Sequence, residues 1–110
     1  MGQLKDFENV VLFITTADEE EARLISRVLL EQRKAACINI IPRVGSLFWW
    51  QGKIDSAQES LLLIKTRAVL IDDISELVKE IHSNDIPEII ALPIVGGSED
   101  YLEWVSKEIG

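Results

Sequence analysis

A long apolar hairpin most constrains what this chain can fold into. The segment from Ala36 to Ile54 is rich in isoleucine, leucine, phenylalanine and tryptophan, and Glu59 to Thr66 continues its second arm. Gln51-Gly52 is typical of a two-residue turn between strands. About fifteen strand residues span roughly 50 Å at ~3.4 Å each, whereas a domain of this length has a radius of gyration of only ~13 Å. The hairpin is therefore predicted to extend beyond the body that should cover it.

This hairpin also predicts self-association. Phe48, Trp49 and Trp50 on an overhanging ribbon would be an aggregation hazard in water. Pro42 and Gly45 predict a bend or bulge that shortens the arm without removing the excess. Another copy of the chain is the simplest cover, because a closed ring of identical subunits satisfies every edge with equivalent contacts. We therefore expect a homotrimer.

Composition limits the remaining possibilities. The chain of 110 residues is predicted to form one domain over residues 10–110, after an N-terminal tail of residues 1–9. Nineteen acidic and eleven basic residues give a net charge of −8, which disfavours nucleic acids and anionic membrane surfaces. No apolar run approaches the length of a membrane span, and the polar start is unlike a secretory signal. One cysteine, Cys37, and one histidine, His82, exclude an intrachain disulfide and fit a reducing, cytoplasmic location.

The order of elements predicts an α+β fold. Helices are expected at Asp18–Lys34, with Arg33 and Lys34 in the last turn, at Ile71–Ile81 and at Asp100–Glu108; strands are expected at Val10–Thr15, in the two hairpin arms and at Glu88–Ile94. The order βαββαβ is the ferredoxin-like arrangement, in which two crossover helices cover one face of an antiparallel four-stranded sheet. An extra C-terminal helix follows, and the second sheet face stays largely open. Open face and long hairpin both favour the trimer.

The sequence motifs resemble those of the CutA divalent-cation tolerance family. They are AACINIIP, SLFWWQGKI, ESLLLIKT, PEIIALPI and DYLEWV, in the family's order, and they cover nearly all of the chain from Val10. The resemblance implies a ferredoxin-like protomer in a tight homotrimer, similar in topology to PII signalling proteins. It also implies a cytoplasmic protein linked to copper and other divalent metals.

The chain departs from the family pattern at three places. HSNDIPE (residues 82–88) stands where members commonly have His-Pro-Tyr-Glu-x-Pro-Glu, so a proline and an aromatic ring are absent while Asp85 keeps a carboxylate. Phe48 replaces a common tyrosine. Ile14 occupies a first-strand position where some members carry a cysteine linked to copper, and soft Cu(I) favours sulfur ligands.

His82, Asp85 and Glu88 are the candidate metal ligands. One imidazole and two carboxylates within seven residues suit Cu(II), Zn(II) or Mn(II), and a neighbouring protomer could add further ligands. The alternative is that His82 merely caps the C-terminus of the second helix. A divalent ion, Cu or Zn, is therefore the only cofactor that the sequence suggests.

A second set of residues indicates an interface or cleft: Phe48, Trp49, Trp50, Lys65, Tyr101 and Trp104. Large aromatic side chains more often bury area at interfaces and cores than form a ligand pocket. Lys65 could activate the Cys37 thiol if the two strands pair in the right register, although isolated cysteines are mostly small buried hydrophobes. Lys53 and Lys65 could hold an anion between subunits, but no glycine-rich phosphate loop supports this.

The residues favour a protein that is not an enzyme. No nucleophile, base and acid set and no cofactor fingerprint is present. The leading interpretation is a trimeric protein of divalent-metal, especially copper, tolerance that binds metal weakly. The alternative is a PII-like signalling trimer that binds a small anionic metabolite between subunits and contacts a target protein. A third interpretation, a trimer with a mainly structural role, also stays open.

Overall fold

Alternating burial along two central strands gives the sheet two different faces. The computed structural model describes residues 8–110, and its strands are β1 (Asn9–Thr16), β2 (Cys37–Trp50), β3 (Lys53–Arg67) and β4 (Ile89–Pro93). They form one antiparallel sheet in the order β2-β3-β1-β4. The helices are α1 (Glu19–Glu31), α2 (Ile71–Ile81), which follows a 3-10 turn at Ala68–Leu70, and α3 (Glu99–Glu108). The predicted ferredoxin-like fold with an extra C-terminal helix is confirmed.

The hairpin forms as predicted. Gln51 and Gly52 both have positive φ, 49° and 78°, which is the backbone of a type I′ turn whose twist matches that of the flanking strands. A bulge interrupts the pairing between Ile41 and Val44, where Arg43 has φ 57°. The longest dimension of the molecule is 44 Å, with a radius of gyration of 14.5 Å. The bulge and strand twist therefore shorten the ribbon below the 50 Å expected for a straight one.

The core lies between one sheet face and helices α1 and α2. Leu12, Ile14, Leu62 and Ile64 project from the central strands and are fully buried with residues of both helices. Full burial of one such side chain contributes about 1.5–3 kcal/mol. Ile14, at the position of the family's occasional cysteine, is one of these core residues, so it packs and does not face solvent.

Helix α1 begins where the sequence predicts and ends earlier. The Asp18 carboxylate accepts a hydrogen bond from the Glu21 N–H at 2.8 Å, as an N-cap should. The prediction that Arg33 and Lys34 belong to the last turn was wrong, because the helix ends at Glu31 and Arg33 has a left-handed φ of 57°. That conformation stops the helix, as at many helix C-termini. Arg33 instead donates to Glu108 at the end of α3 at 2.9 Å.

The opposite sheet face, which we term the open face, is covered at one end by α3. Ser106 on α3 hydrogen-bonds the Asn9 side chain, and Val105 beside it is buried. Elsewhere apolar side chains on this face are only partly covered: Val11, Phe13, Ile41, Leu61, Leu63, Ile90 and Leu92. Strand β1 begins at Asn9, the last residue of the predicted tail of residues 1–9, and residues 1–7 of that tail lie outside the described part.

Candidate functional site

His82 lies inside the molecule at the end of α2. Its side chain has no solvent exposure, and its backbone N–H closes the helix by donating to Val78 O at 2.8 Å. The ring Nε2 is 2.8 Å from the carbonyl oxygen of Thr15, at the end of β1. The ring Nδ1 is 3.0 Å from the backbone N–H of Asn84. Both ring nitrogens are therefore engaged by backbone groups.

Glu21 completes this junction from the first turn of α1. Its carboxylate accepts hydrogen bonds from the backbone N–H groups of Ala17, at 3.0 Å, and Ser83, at 2.8 Å. It also lies 3.7 Å from His82 Nε2. Burial alone would raise the pKa of Glu21, but the hydrogen bonds from Ala17 and Ser83 and the proximity of His82 lower it from its ordinary 4.5. Ser83 donates a bond that a proline at this position could not.

The structure does not assemble the three predicted metal ligands into one group. Asp85 and Glu88 are exposed, whereas the His82 side chain is enclosed. Among residues 8–110, no three histidine, cysteine, aspartate or glutamate side chains are placed so that they could hold a metal ion. In this form the residues do not fit a three-ligand metal site within one chain.

Cys37 and Lys65 are brought together on the open face. They are direct partners in the β2–β3 register, which is the pairing that a Cys37–Lys65 interaction requires. The Lys65 amine donates to the Asn39 side chain. Burial raises the pKa of the Tyr101 phenol, and its hydrogen bond with the Cys37 thiol adds to the shift. Thiol, amine, amide and phenol thus form one polar cluster on the open face.

The candidate aromatic residues fall into two groups. Tyr101 and Trp104 pack on each other on α3, with ring centroids 5.7 Å apart, and Tyr101 reaches Cys37 at the start of β2. Phe48, Trp49 and Trp50 lie at the far end of that strand, roughly 40 Å away along it. One chain therefore cannot build a single aromatic wall from both groups.

Two cavities lie elsewhere. One of about 240 Å³ lies at the bulge between Arg43 and the start of α1, and one of about 520 Å³ lies beside Trp50 and Ile54 at the hairpin tip. Neither is lined by the candidate metal ligands. Around the second cavity the hairpin tip leaves large aromatic side chains uncovered, since Trp49 is 73% and Trp50 60% exposed.

Strand order and helix placement define the class of protein as a ferredoxin-like α+β domain with an elongated hairpin. Comparison with known proteins then identifies the family. The family model described as CutA1 divalent ion tolerance protein matches residues 10–108. The chain belongs to the CutA divalent-cation tolerance family.

Several relatives are similar over most of the chain. The divalent-cation tolerance protein CutA of Thermus thermophilus is 46% identical over 94% of this chain and 99% of its own length. The chloroplastic CutA proteins of rice and Arabidopsis thaliana are 42% and 41% identical, and the chain spans 56% and 57% of their lengths. The solved structure of rice CutA1 superposes with a TM-score of 0.92 at 39% identity, covering 94% of this chain and 95% of that one.

Within residues 8–110, no helix is both long enough and apolar enough to cross a bilayer.

Proposed function

We propose that this protein acts in divalent-cation tolerance as a cytoplasmic homotrimer that binds Cu(II) or Zn(II) directly and weakly. Membership of the CutA family is the observation that supports the tolerance role. The proposed function is the binding of a metal ion, and it requires no catalytic groups.

Exposed apolar surface supports the assembly. At the hairpin tip, Leu47 is 80% and Ile54 66% exposed, beside Trp49 and Trp50. The open face adds Ile90 and Leu92 on the edge strand β4. Apolar patches of this kind rarely stay in water, and they mark interaction sites. Identical copies that cover each other's hairpin and open face remove both exposures at once.

The segment His82–Glu88 carries the proposed metal contacts. Asp85 and Glu88 project their carboxylates into solvent, and the one imidazole of the chain lies at the start of the same segment. Two exposed carboxylates bind a cation only weakly, since each must lose its hydration. An affinity sufficient for one cation per chain then requires His82 or a ligand from a neighbouring copy.

Calorimetric titration of the metal-free protein with Cu(II) and Zn(II) tests this proposal. The variant Asp85→Asn/Glu88→Gln should lose most of the binding, whereas Glu80→Gln, at an exposed position of α2, is the control and should keep it. Light scattering on the same samples should give the molar mass of a trimer. Absence of saturable binding to an intact trimer would refute direct metal binding, and a monomer would refute the assembly.

The polar cluster on the open face favours a second candidate, a PII-like signalling trimer. Lys65, Asn39 and Tyr101 offer an amine, an amide and a phenol to a small anion held between copies. A metabolite that raises the thermal stability of the wild-type protein without metal, but not that of Lys65→Met, would support this function.

A further inference from the structure

Arg67, at the end of β3, has a buried donor without an acceptor. Its guanidinium Nε is enclosed and makes no hydrogen bond within residues 8–110. Among the same residues Arg67 forms no ion pair either, although the chain carries nineteen acidic side chains. A buried donor that stays unpaired costs free energy, and a guanidinium is suited to bind a carboxylate or a phosphate through several donors at once. The position of Arg67 therefore fits an oxyanion that residues 8–110 do not supply.

Lys65 lies beside Arg67 on the open face. Thr66, between them, is fully buried on the opposite face, and the alternation along β3 places Lys65 and Arg67 together. Two positions along a strand span roughly 7 Å, so both long side chains can reach one anion. Arg67 pairs with Asn9 in the β1–β3 register, and Asn9 is hydrogen-bonded by Ser106 of α3. The two cations thus lie where the helix already covers part of the sheet.

The acidic side chain next to this pair is engaged elsewhere. Glu8 adjoins the end of β3, since its carbonyl oxygen accepts a hydrogen bond from the Ala68 N–H at 2.9 Å. Its carboxylate, however, accepts a hydrogen bond from Ser106 Oγ at 3.0 Å. Within the described part of the chain, neither Lys65 nor Arg67 has a carboxylate within 4.0 Å. Two neighbouring positive charges repel each other, and a ligand with two negative charges would offset both.

A phosphate group meets these requirements better than a single carboxylate does. It carries close to two negative charges at neutral pH and has three acceptor oxygens. We propose that Arg67 and Lys65 bind the phosphate group of a small anion, with the Tyr101 phenol as a third donor. The inference rests on the second candidate function, the signalling trimer, and names the class of its ligand. Lys53, the other lysine considered for an anion, lies at the opposite end of β3 and takes no part.

Calorimetric titration with inorganic phosphate at constant ionic strength tests the role of Arg67. Arg67→Met removes the guanidinium and keeps an unbranched apolar stem, and it should bind phosphate about tenfold more weakly or worse, the loss of a hydrogen bond to a charged group. Arg27→Met is the matched control, because it makes the same change at an exposed residue of α1, on the other side of the sheet. It should stay within about twofold of wild type, since distant charges are screened. Equal affinities of wild type and Arg67→Met would overturn the inference.

Stability without phosphate separates a ligand site from a contact between copies. Arg67→Met removes a donor that has no acceptor, so in phosphate-free buffer its urea unfolding should match that of wild type. Added phosphate should then stabilise wild type and not the variant. A variant that is less stable than wild type before phosphate is added, or that has a lower molar mass by light scattering, would show that Arg67 pairs with a carboxylate of another copy. Either result would overturn the inference.

Three anions identify the source of the phosphate group. Glycerol phosphate that binds more tightly than inorganic phosphate would support a phosphorylated small molecule as the ligand, and the reverse order would support free phosphate. Acetate at the same ionic strength should bind far more weakly, and acetate that binds as tightly as phosphate would overturn the choice of ligand. If a different anionic metabolite stabilises wild type but not Lys65→Met, while neither phosphate compound binds, the second candidate function stands and this inference fails.

Discussion

Replacing Glu21 tests the junction of β1, α1 and the His82 segment. Glu21→Ala removes the acceptor of two backbone N–H groups, from Ala17 and Ser83. A hydrogen bond to a charged group contributes about 1.5–3 kcal/mol. Both amides are exposed and can bind water after the substitution, so each hydrogen bond should contribute less than the lower limit of this range. We therefore expect the free energy of unfolding to fall by about 2 kcal/mol in total.

Glu20→Ala is the matched control. Glu20 precedes Glu21 in the same first turn, so both substitutions remove one charge near the helix N-terminus and both introduce alanine. Among the described residues, Glu20 makes no side-chain hydrogen bond or ion pair. The difference between the variants therefore isolates the bonds of Glu21. Urea unfolding at one fixed protein concentration measures it, since assembly makes stability depend on concentration.

The same comparison has a defined dependence on pH. The pKa of Glu21 is lowered in the folded state, so its stabilisation is fully present above its ordinary value of 4.5. This stabilisation is lost as pH falls through the folded pKa. The unfolded state binds the proton more tightly than the folded state, so protonation of Glu21 favours unfolding. We expect Glu21→Ala and wild type to differ by about 2 kcal/mol at pH 7 and to converge below pH 4.5. Equal stability of the two alanine variants at pH 7, or a gap unchanged to pH 3, would refute this account.

Three further substitutions test the core, the turn and the assembly. Leu62→Ala removes a fully buried side chain and should cost about 2–5 kcal/mol of unfolding free energy in urea; a loss below 1 kcal/mol would contradict the assigned core. Gly52→Ala, at φ 78°, should cost about 1–2 kcal/mol, whereas Gly45→Ala has open space for its Cβ and an ordinary φ and should be near neutral by the same assay. Trp50→Glu should lower the molar mass measured by light scattering, and an unchanged trimer would argue against a role of the hairpin in assembly.

Local sequence patterns predicted the helices and strands well where the structure depends only on residues that are close together in the sequence. Asp18 caps α1 because its side chain reaches an amide three residues away, and the chain turns at Gln51-Gly52 because Gly52 has no Cβ and adopts positive φ without strain. The end of α1 was predicted too late for the opposite reason, since it depends on features that are not local. Arg33 adopts a left-handed backbone conformation that an arginine does not predict. Its partner Glu108 is 75 positions away in the sequence.

The candidate site was predicted only in part. His82 is the one histidine of the sequence, and its backbone N–H closes α2 at Val78, a main-chain bond that does not involve the imidazole ring. Glu21 is not among the predicted site residues, although its carboxylate accepts a hydrogen bond from the Ser83 N–H and holds the His82 segment in place. The capping pattern Asp18-x-x-Glu21 was the available signal, but it predicts a bond back to the cap and not to Ser83.

The sequence by itself determined the order of elements, the two-faced sheet and the excess of apolar surface on the hairpin. Periodicity and turn chemistry are local, so they can be read without the fold. Only the tertiary structure decided what His82 touches, because Thr15 and Glu21 are 67 and 61 positions away along the chain and approach it only after β1 and α1 pack against α2. The same holds for Cys37 and Lys65, whose meeting depends on strand register. Contacts between distant residues follow from packing, and packing is a property of the whole chain.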